Sequence, residues 1–208
     1  KTIINTNEIS VSDEIKSYLK IKSGDSLDIH PTTEPRSIFL IAKKLSGSKL
    51  SKDEIFTIIS DIVNNALTEG EIAYFVSGVY YHGMDLQETI ALTEAIYKTG
   101  QSLSWKNKLI VDKHSIGGVP GNRTTPIVVS ICAAAGLTMP KTSSRAITSA
   151  AGTSDVMEMI TKVDLSPEEL KKTVEKTGAC LAWGGALGFA PADDKLIRVE
   201  RLLNLDPE

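Results

Sequence analysis

The sequence predicts a helical domain followed by a parallel-sheet α/β domain, an α+β chain passing into α/β, with the remnant of a small N-terminal β-containing domain ahead of both. Three observations carry this reading. Residues 36–104 repeat apolar side chains at three- and four-residue spacing behind three capping boxes. Residues 105–208 alternate short apolar runs with glycine- and hydroxyl-rich loops and helical segments. The stretch "HPTTEP" at 30–35 interrupts both rhythms, because its prolines can continue neither a helix nor a ladder.

Residues 1–35 read as the strand "KTIINTN", the short helix "SDEIKSYLKI" and, after a Ser-Gly-Asp turn, the strand "SLDIH". Within 36–104, "SIFLIAKKLSG" is the first helix. Capping boxes at Ser51 to Glu54, Thr68 to Glu71 and Asp85 to Glu88 then open "IFTIISDIVNNAL", "IAYFVSGVYYHG" and "LQETIALTEAIYKTG". These helices make a compact layer. Its aromatic run "YFVSGVYYHG" is a candidate face for homo-oligomer formation, or part of the core.

The α/β part, 105–208, begins with "KLIVD" as a short buried strand and "PIVVSICAAAG" as the helix after the first loop. Next come the strand "LTMPKTSS", a hydroxyl-rich loop and the helix "SDVMEMI". A helix with proline at its first position, "SPEELKKTVEKTG", leads to the strand "ACLAW". Strands alternating with helices imply a parallel sheet, and ligands of such sheets gather at the carboxyl ends of the strands.

Composition narrows the function classes. The chain is 41% apolar and 24% charged with net charge −3, which gives no electrostatic basis for nucleic-acid or membrane-surface binding. No run approaches the roughly 18 apolar residues of a membrane span, and the start has no signal-peptide layout, so a cytoplasmic location is expected. Cys132 and Cys180 have no partner at metal-ligand spacing and read as buried thiols; no metal site is expected.

The chemistry concentrates in two loops. The first, "VDKHSIGGVPGNRTT" at 111–125, holds Lys113, Ser115, Gly118 and Thr125 and runs straight into a helix start. A point charge, hydroxyl donors, glycines that let backbone approach and unpaired helix amides suit a phosphate. The spacing matches neither a Walker loop nor a dinucleotide fingerprint, and a tight strand-to-helix turn is the alternative. The second loop, "KTSSRAITSAAGTSD" at 141–155, sets many hydroxyls around Arg145; its alternative is a polar surface loop with helix caps. Loops after successive strands of one parallel sheet would face one crevice. His114, between Lys113 and Ser115, is a candidate for substrate contact or for a structural bond. His30, His82, Trp105, Trp183, Asp193 and Asp194 read as structural or solvated.

The blocks "EGEIAYFVSGVYYHGMDLQETIALTEAIYKTG" and "VDKHSIGGV" resemble the thymidine phosphorylase family of nucleoside phosphorylases, from about residue 36 to the end. Through "GGVPGNRTTPI", "SSRAITSAAGT" and "GFAPADD" the chain is most similar to the branch that phosphorolyses AMP. The resemblance implies the nucleoside phosphorylase/phosphoribosyltransferase fold. It also implies attack of inorganic phosphate, a co-substrate and not a cofactor, on a nucleoside 5′-monophosphate, giving adenine and ribose 1,5-bisphosphate from AMP. It places phosphate at Lys113, Ser115, Ser143 and Thr153, and nucleotide at Gly118, Ser144, Arg145, Ala146, Ile147, Thr148, Ser149 and Thr153. Arg145 with Thr148 and Ser149 would meet the nucleotide's own phosphate, and Asp206 would protonate the leaving base. Residues 1–35 resemble the end of that branch's extra domain. The family's Ser-x-x-x-Lys helix falls after residue 208, so negligible turnover is expected of these 208 residues alone. A pyrimidine-nucleoside phosphorylase or phosphoribosyltransferase of the same fold, and a non-catalytic helical assembly module, are the competing readings.

Overall fold

A computed structural model describes residues 7–30, 33–105, 109–114, 123–146 and 150–205. Residues 1–33 form one compact unit and 34–208 another. In the first, helix α1 (Asp13–Leu19) starts at Ser12, whose hydroxyl accepts the Ile15 N–H at 3.3 Å, and buries none of its residues. Among the described residues of this unit the expected strand "SLDIH" is not in a ladder. A strand exists only by pairing, and no described neighbour supplies its hydrogen bonds.

The second unit opens with α2 (Ser37–Leu45), α3 (Lys52–Val63), α4 (Glu69–His82) and α5 (Leu86–Thr99). All three capping boxes close reciprocally; at α3, Glu54 accepts the Ser51 N–H at 2.7 Å while the Ser51 hydroxyl accepts the Glu54 N–H at 3.3 Å. One face of α3 is buried through Ile55, Ile58, Ile59 and Ile62, the three- and four-residue spacing of a helical stripe. It packs with Leu40, Ile41, Phe75, Val76, Ala91 and Ala95 in a single core. His82 is structural: its Nε2 lies 2.9 Å from the Leu45 carbonyl oxygen.

That core contains a buried ion pair. The Lys44 ammonium donates to Glu88 at 2.8 Å, and both side chains are almost inaccessible. Glu88 also accepts the backbone N–H of Leu50 at 3.0 Å and of Asp85 at 3.1 Å. Burial alone would push its carboxyl up, but Lys44 and the two backbone donors outweigh that and hold it below the ordinary glutamate range. One capping-box glutamate therefore joins α2, the α2–α3 turn and the start of α5.

Between residues 100 and 190 the chain builds α6 (Thr124–Ala134), β1 (Met139–Ser143), α7 (Thr153–Glu158), α8 (Pro167–Thr177) and β2 (Ala179–Trp183). The strands pair in parallel, from Met139 opposite Ala179 to Ser143 opposite Trp183. Ile110 bridges to Thr138 in parallel on β1's other edge, where Val111 donates to the Thr138 carbonyl at 2.9 Å. Alternation along β2 separates two small cores. Cys180 and Ala182 pack with Leu170 and Val174 of α8, while Ala179 and Met139 pack with Val129 of α6.

Helix α9 (Pro191–Leu203), absent from the elements expected above although Pro191 opens it and Asp193 and Asp194 lie in its first turn, belongs to the helical layer. Ala192, Leu196 and Val199 lie in the helical core, and the Lys195 ammonium donates to the Ile62 and Val63 carbonyls at 2.8 Å each and to Asn65 Oδ1 at 2.6 Å. The chain thus leaves the helical layer, builds the α/β part and packs 191–203 back on the helical core. At the junction a Cβ on Gly100 would sit 1.8 Å from the Phe189 carbonyl oxygen, so only glycine lets the two segments meet.

Replacing Glu88 by Ala leaves a buried ammonium and two backbone donors without their acceptor. Urea unfolding should show a loss of about 3–5 kcal/mol; a change below about 1 kcal/mol would show that the pair does not hold the layer together.

Candidate anion-binding active site

Parallel pairing sends the carboxyl ends of the Ile110 segment, β1 and β2 to one edge of the sheet. The first loop leaves the Ile110 segment at Asp112, and the second leaves β1 at Ser143. A side-chain bond ties the two exits together: Lys141, almost fully buried in β1, lies 3.1 Å from Asp112 Oδ1. Lys113 follows Asp112 directly and donates to the Thr124 hydroxyl at 3.3 Å, holding the loop to the first turn of α6.

That turn holds several of the groups expected to meet an anion. Arg123 at the N-cap makes no side-chain cap bond. The dipole of α6 places partial positive charge at this turn, beside Lys113. Thr125 is buried in the same turn, and His114 is exposed next to Lys113. Ser115 and Gly118 lie outside the described residues.

The second loop is held at its base by α7. The Ser154 hydroxyl donates to the Ser143 carbonyl at 3.0 Å and the Ser154 N–H to the Ser144 carbonyl at 3.4 Å. Asp155 Oδ2 accepts two backbone N–H groups, from Ala146 and from Gly152, both at 2.8 Å. These contacts bring the strand end against the helix start so closely that a Cβ on Gly152 would stand 2.6 Å from the Arg145 carbonyl carbon and 2.7 Å from the Ala146 nitrogen. Ser143, Ser144, Ala146 and Thr153 thus share this loop base, one strand away from Lys113 and Thr125. Ile147, Thr148, Ser149 and Asp206 lie outside the described residues.

Arg145 departs from its expected place against a second phosphate. Its guanidinium donates to Glu158 at 2.6 and 2.8 Å and to Asp155 at 3.1 Å, and stands 3.5 Å from Asp164. It also lies 4.6 Å from the centre of the Trp183 ring, so Trp183 is a platform for a cation as well as a packing residue. Glu158 and Asp155 hold the guanidinium above its ordinary pKa. Three carboxylates around one cation leave a negative surplus, which repels a phosphate. Arg145 accordingly braces the loop against α7 and the end of β2.

Asp155 and Lys141 are the residues that sequence reasoning passed over. The signal for Asp155 was present: "GTSD" has capping-box spacing with glycine at the cap, a pattern missed when only side-chain caps are sought. Burial would raise the Asp155 carboxyl, but the Gly152 and Ala146 N–H groups and Arg145 hold it below the usual aspartate range. Its folded pKa is depressed, so its contribution is complete above about pH 4 and is lost only as pH falls through the lowered value. Among the described residues no cluster of His, Cys, Asp and Glu could hold a metal, and no helix is long and apolar enough to cross a membrane.

Comparison with known proteins agrees with this architecture. Residues 39–100 match the helical bundle domain of a glycosyl transferase family and residues 107–205 match the a/b domain of a glycosyl transferase family. The chain is 54% identical over 205 residues to an AMP phosphorylase of Pyrococcus furiosus, covering 99% of this chain and 41% of that protein. It is 50% identical over 207 residues to an AMP phosphorylase of Methanocaldococcus jannaschii, covering 100% of this chain and again 41% of the relative. The chain therefore spans about two fifths of the length of these curated relatives. Among solved structures it is similar to anthranilate phosphoribosyltransferase from Thermus thermophilus, with TM-score 0.65 and 19% identity over 80% of this chain and 51% of that one. At that identity the likeness concerns the fold.

The geometry at α6 makes a direct prediction. Calorimetric titration with inorganic phosphate should show saturable binding that Lys113→Ala weakens roughly 10- to 100-fold, the scale of one charge-assisted hydrogen bond. Equal affinity in the variant would remove Lys113 from the site.

Proposed function

The chain belongs to the glycosyl transferase family that joins a helical bundle to an α/β domain, and from that premise we propose that the protein it represents phosphorolyses a nucleoside 5′-monophosphate. In this reading AMP and inorganic phosphate give adenine and ribose 1,5-bisphosphate. The observation that supports it best is the convergence of two anion-suited loops at adjacent parallel strand ends, tied by Lys141 and Asp112.

Phosphate is held by Lys113, by the first turn of α6 and by the hydroxyls of Ser115, Thr125, Ser143 and Thr153. Held there, it is a positioned nucleophile, and positioning replaces an encounter in solution with a reaction between neighbours. An oxygen of phosphate forms a bond to the anomeric carbon as the C–N bond to the base breaks. Positive character develops on the sugar, which the phosphate dianion stabilises, and negative charge develops on the base. Asp206 gives the departing base its proton, and His114, exposed beside Lys113, contacts the sugar. The nucleotide lies along Gly118 and the segment Ser144 to Ser149, with Arg145 holding that segment through its carboxylate partners and Thr148 and Ser149 meeting the nucleotide's own phosphate. The reaction needs phosphate as second substrate and no cofactor, and its setting is the cytoplasm.

Self-association through the helical layer goes with this reading. Phe39, Tyr74 and Tyr81 of α2 and α4 are exposed by 68%, 61% and 82%, an unusual concentration of aromatic surface for an isolated layer. Sedimentation of the full-length protein as a monomer would remove this part of the proposal.

A product assay tests the reaction. Full-length protein with AMP and phosphate should release adenine and ribose 1,5-bisphosphate, and Asp206→Asn should lower kcat about 10²- to 10⁴-fold, the range for a general acid. Release of a pyrimidine base from nucleosides, with AMP inert, would instead favour a nucleoside phosphorylase. No base release from either would leave a non-catalytic module.

A further inference from the structure

The second loop has an internal brace centred on Asp155. Asp155 Oδ2 takes the N–H groups of Ala146 and Gly152, which lie on either side of the segment that carries Thr148 and Ser149. Its other oxygen takes Arg145 at 3.1 Å. One carboxylate thus fixes both ends of the segment, and it does so where the Gly152 backbone has no room for a Cβ. Ser154 adds a second pair of bonds to the same base, through the Ser143 and Ser144 carbonyls.

Fixing both ends of a binding segment before substrate arrives removes ordering entropy that would otherwise oppose binding. The donors are main-chain amides, so hydrophobic or neutral replacement at 155 cannot be compensated by a rotamer change elsewhere in the loop. Glu158 makes a useful contrast. Both of its oxygens take the Arg145 guanidinium, at 2.6 and 2.8 Å, and they leave the two amides to Asp155.

We propose that Asp155 is a positioning residue that preorganises the two described ends of the second loop, 144–146 and 150–153, for substrate, acting through the amides of Ala146 and Gly152. This rests on the phosphorolytic reading for its kinetic expression, and its structural content stands apart from that reading. Asparagine at 155 either keeps both amides on one neutral, weaker carbonyl oxygen and turns its NH₂ group against Arg145, or turns the NH₂ group against both amides and loses them. Glutamate keeps the charge but moves it by one methylene, away from the bond distances seen here.

The test compares full-length wild type with Asp155→Asn, Asp155→Glu and Glu158→Gln, using steady-state kinetics and amide hydrogen exchange at Ala146 and Gly152. Asp155→Asn should raise KM for phosphate and nucleotide at least about tenfold while kcat falls less than about threefold, because the loop is displaced and the reacting groups are retained. Exchange at both amides should accelerate with it. Glu158→Gln loosens Arg145 but spares the two amides, so it should raise KM less than Asp155→Asn does and leave both amides protected. Unchanged KM in Asp155→Asn, or equal effects of Asp155→Asn and Glu158→Gln, would overturn the proposal. If Asp155→Asn does not fold, Asp155→Glu carries the same expectation of raised KM, and wild-type values in it would overturn the proposal. If wild type releases no base, the functional reading has failed. Amide exchange then decides alone, and unaccelerated exchange in the Asp155 variants sinks the inference.

Discussion

Parallel pairing of the strands at one sheet is the constraint on which the site depends. Val111 donates to the Thr138 carbonyl on one edge of β1, and β2 runs beside β1 in register on the other. Antiparallel pairing would send alternate loops to opposite edges and separate Lys113 from Ser143 by the length of a strand. With the strands parallel, the chain leaves the Ile110 segment and β1 at the same edge, and α6 and α7 begin after those exits.

The helical layer serves that arrangement from outside. Its core is closed by α9, which arrives after the α/β part is complete and places Ala192, Leu196 and Val199 among residues of α3, α4 and α5. Lys195 then satisfies the last carbonyls of α3, the groups that a helix cannot pair internally. Two crossings of the chain, near Gly100 and near Phe189, connect the layer to the sheet, and they touch at the Gly100 backbone. The α/β part is therefore anchored at both of its ends in one packed layer, which holds the strand-end loops in a defined relation to α9.

Charge balance inside the second loop gives Arg145 partners that its neighbours in sequence do not announce. An arginine among serines and threonines reads as a cation awaiting an anion. The anions were already in the chain, at Asp155, Glu158 and Asp164, brought round by the short helix α7 and the turn after it. The same fold that gathers hydroxyls at the loop base also neutralises its arginine and pairs Lys141 with Asp112, so the candidate anion contacts lie at Lys113 and the start of α6.

Local rules made much of this protein legible in its amino acids. Each capping box, from Ser51 with Glu54 to Ser166 with Glu169, is a bond between residues three apart, and the buried stripe of α3 is a repeat of three and four. Loop and helix order followed from the same short-range patterns, but the stretch expected as the buried strand "KLIVD" is, among its described residues, only a single bridge at Ile110, with Leu109 71% and Ile110 36% exposed. Tertiary structure decided what spans long separations. It returned α9 to the helical core, carried Lys195 to Asn65 across 130 residues, buried Lys44 against Glu88, and paired Arg145 with carboxylates instead of leaving it open. The physical reason is that helix caps and apolar periodicity are set by neighbours along the chain. The partner of a buried charge is set by whichever residue the packed fold brings within hydrogen-bond reach, and no spacing rule encodes that distance.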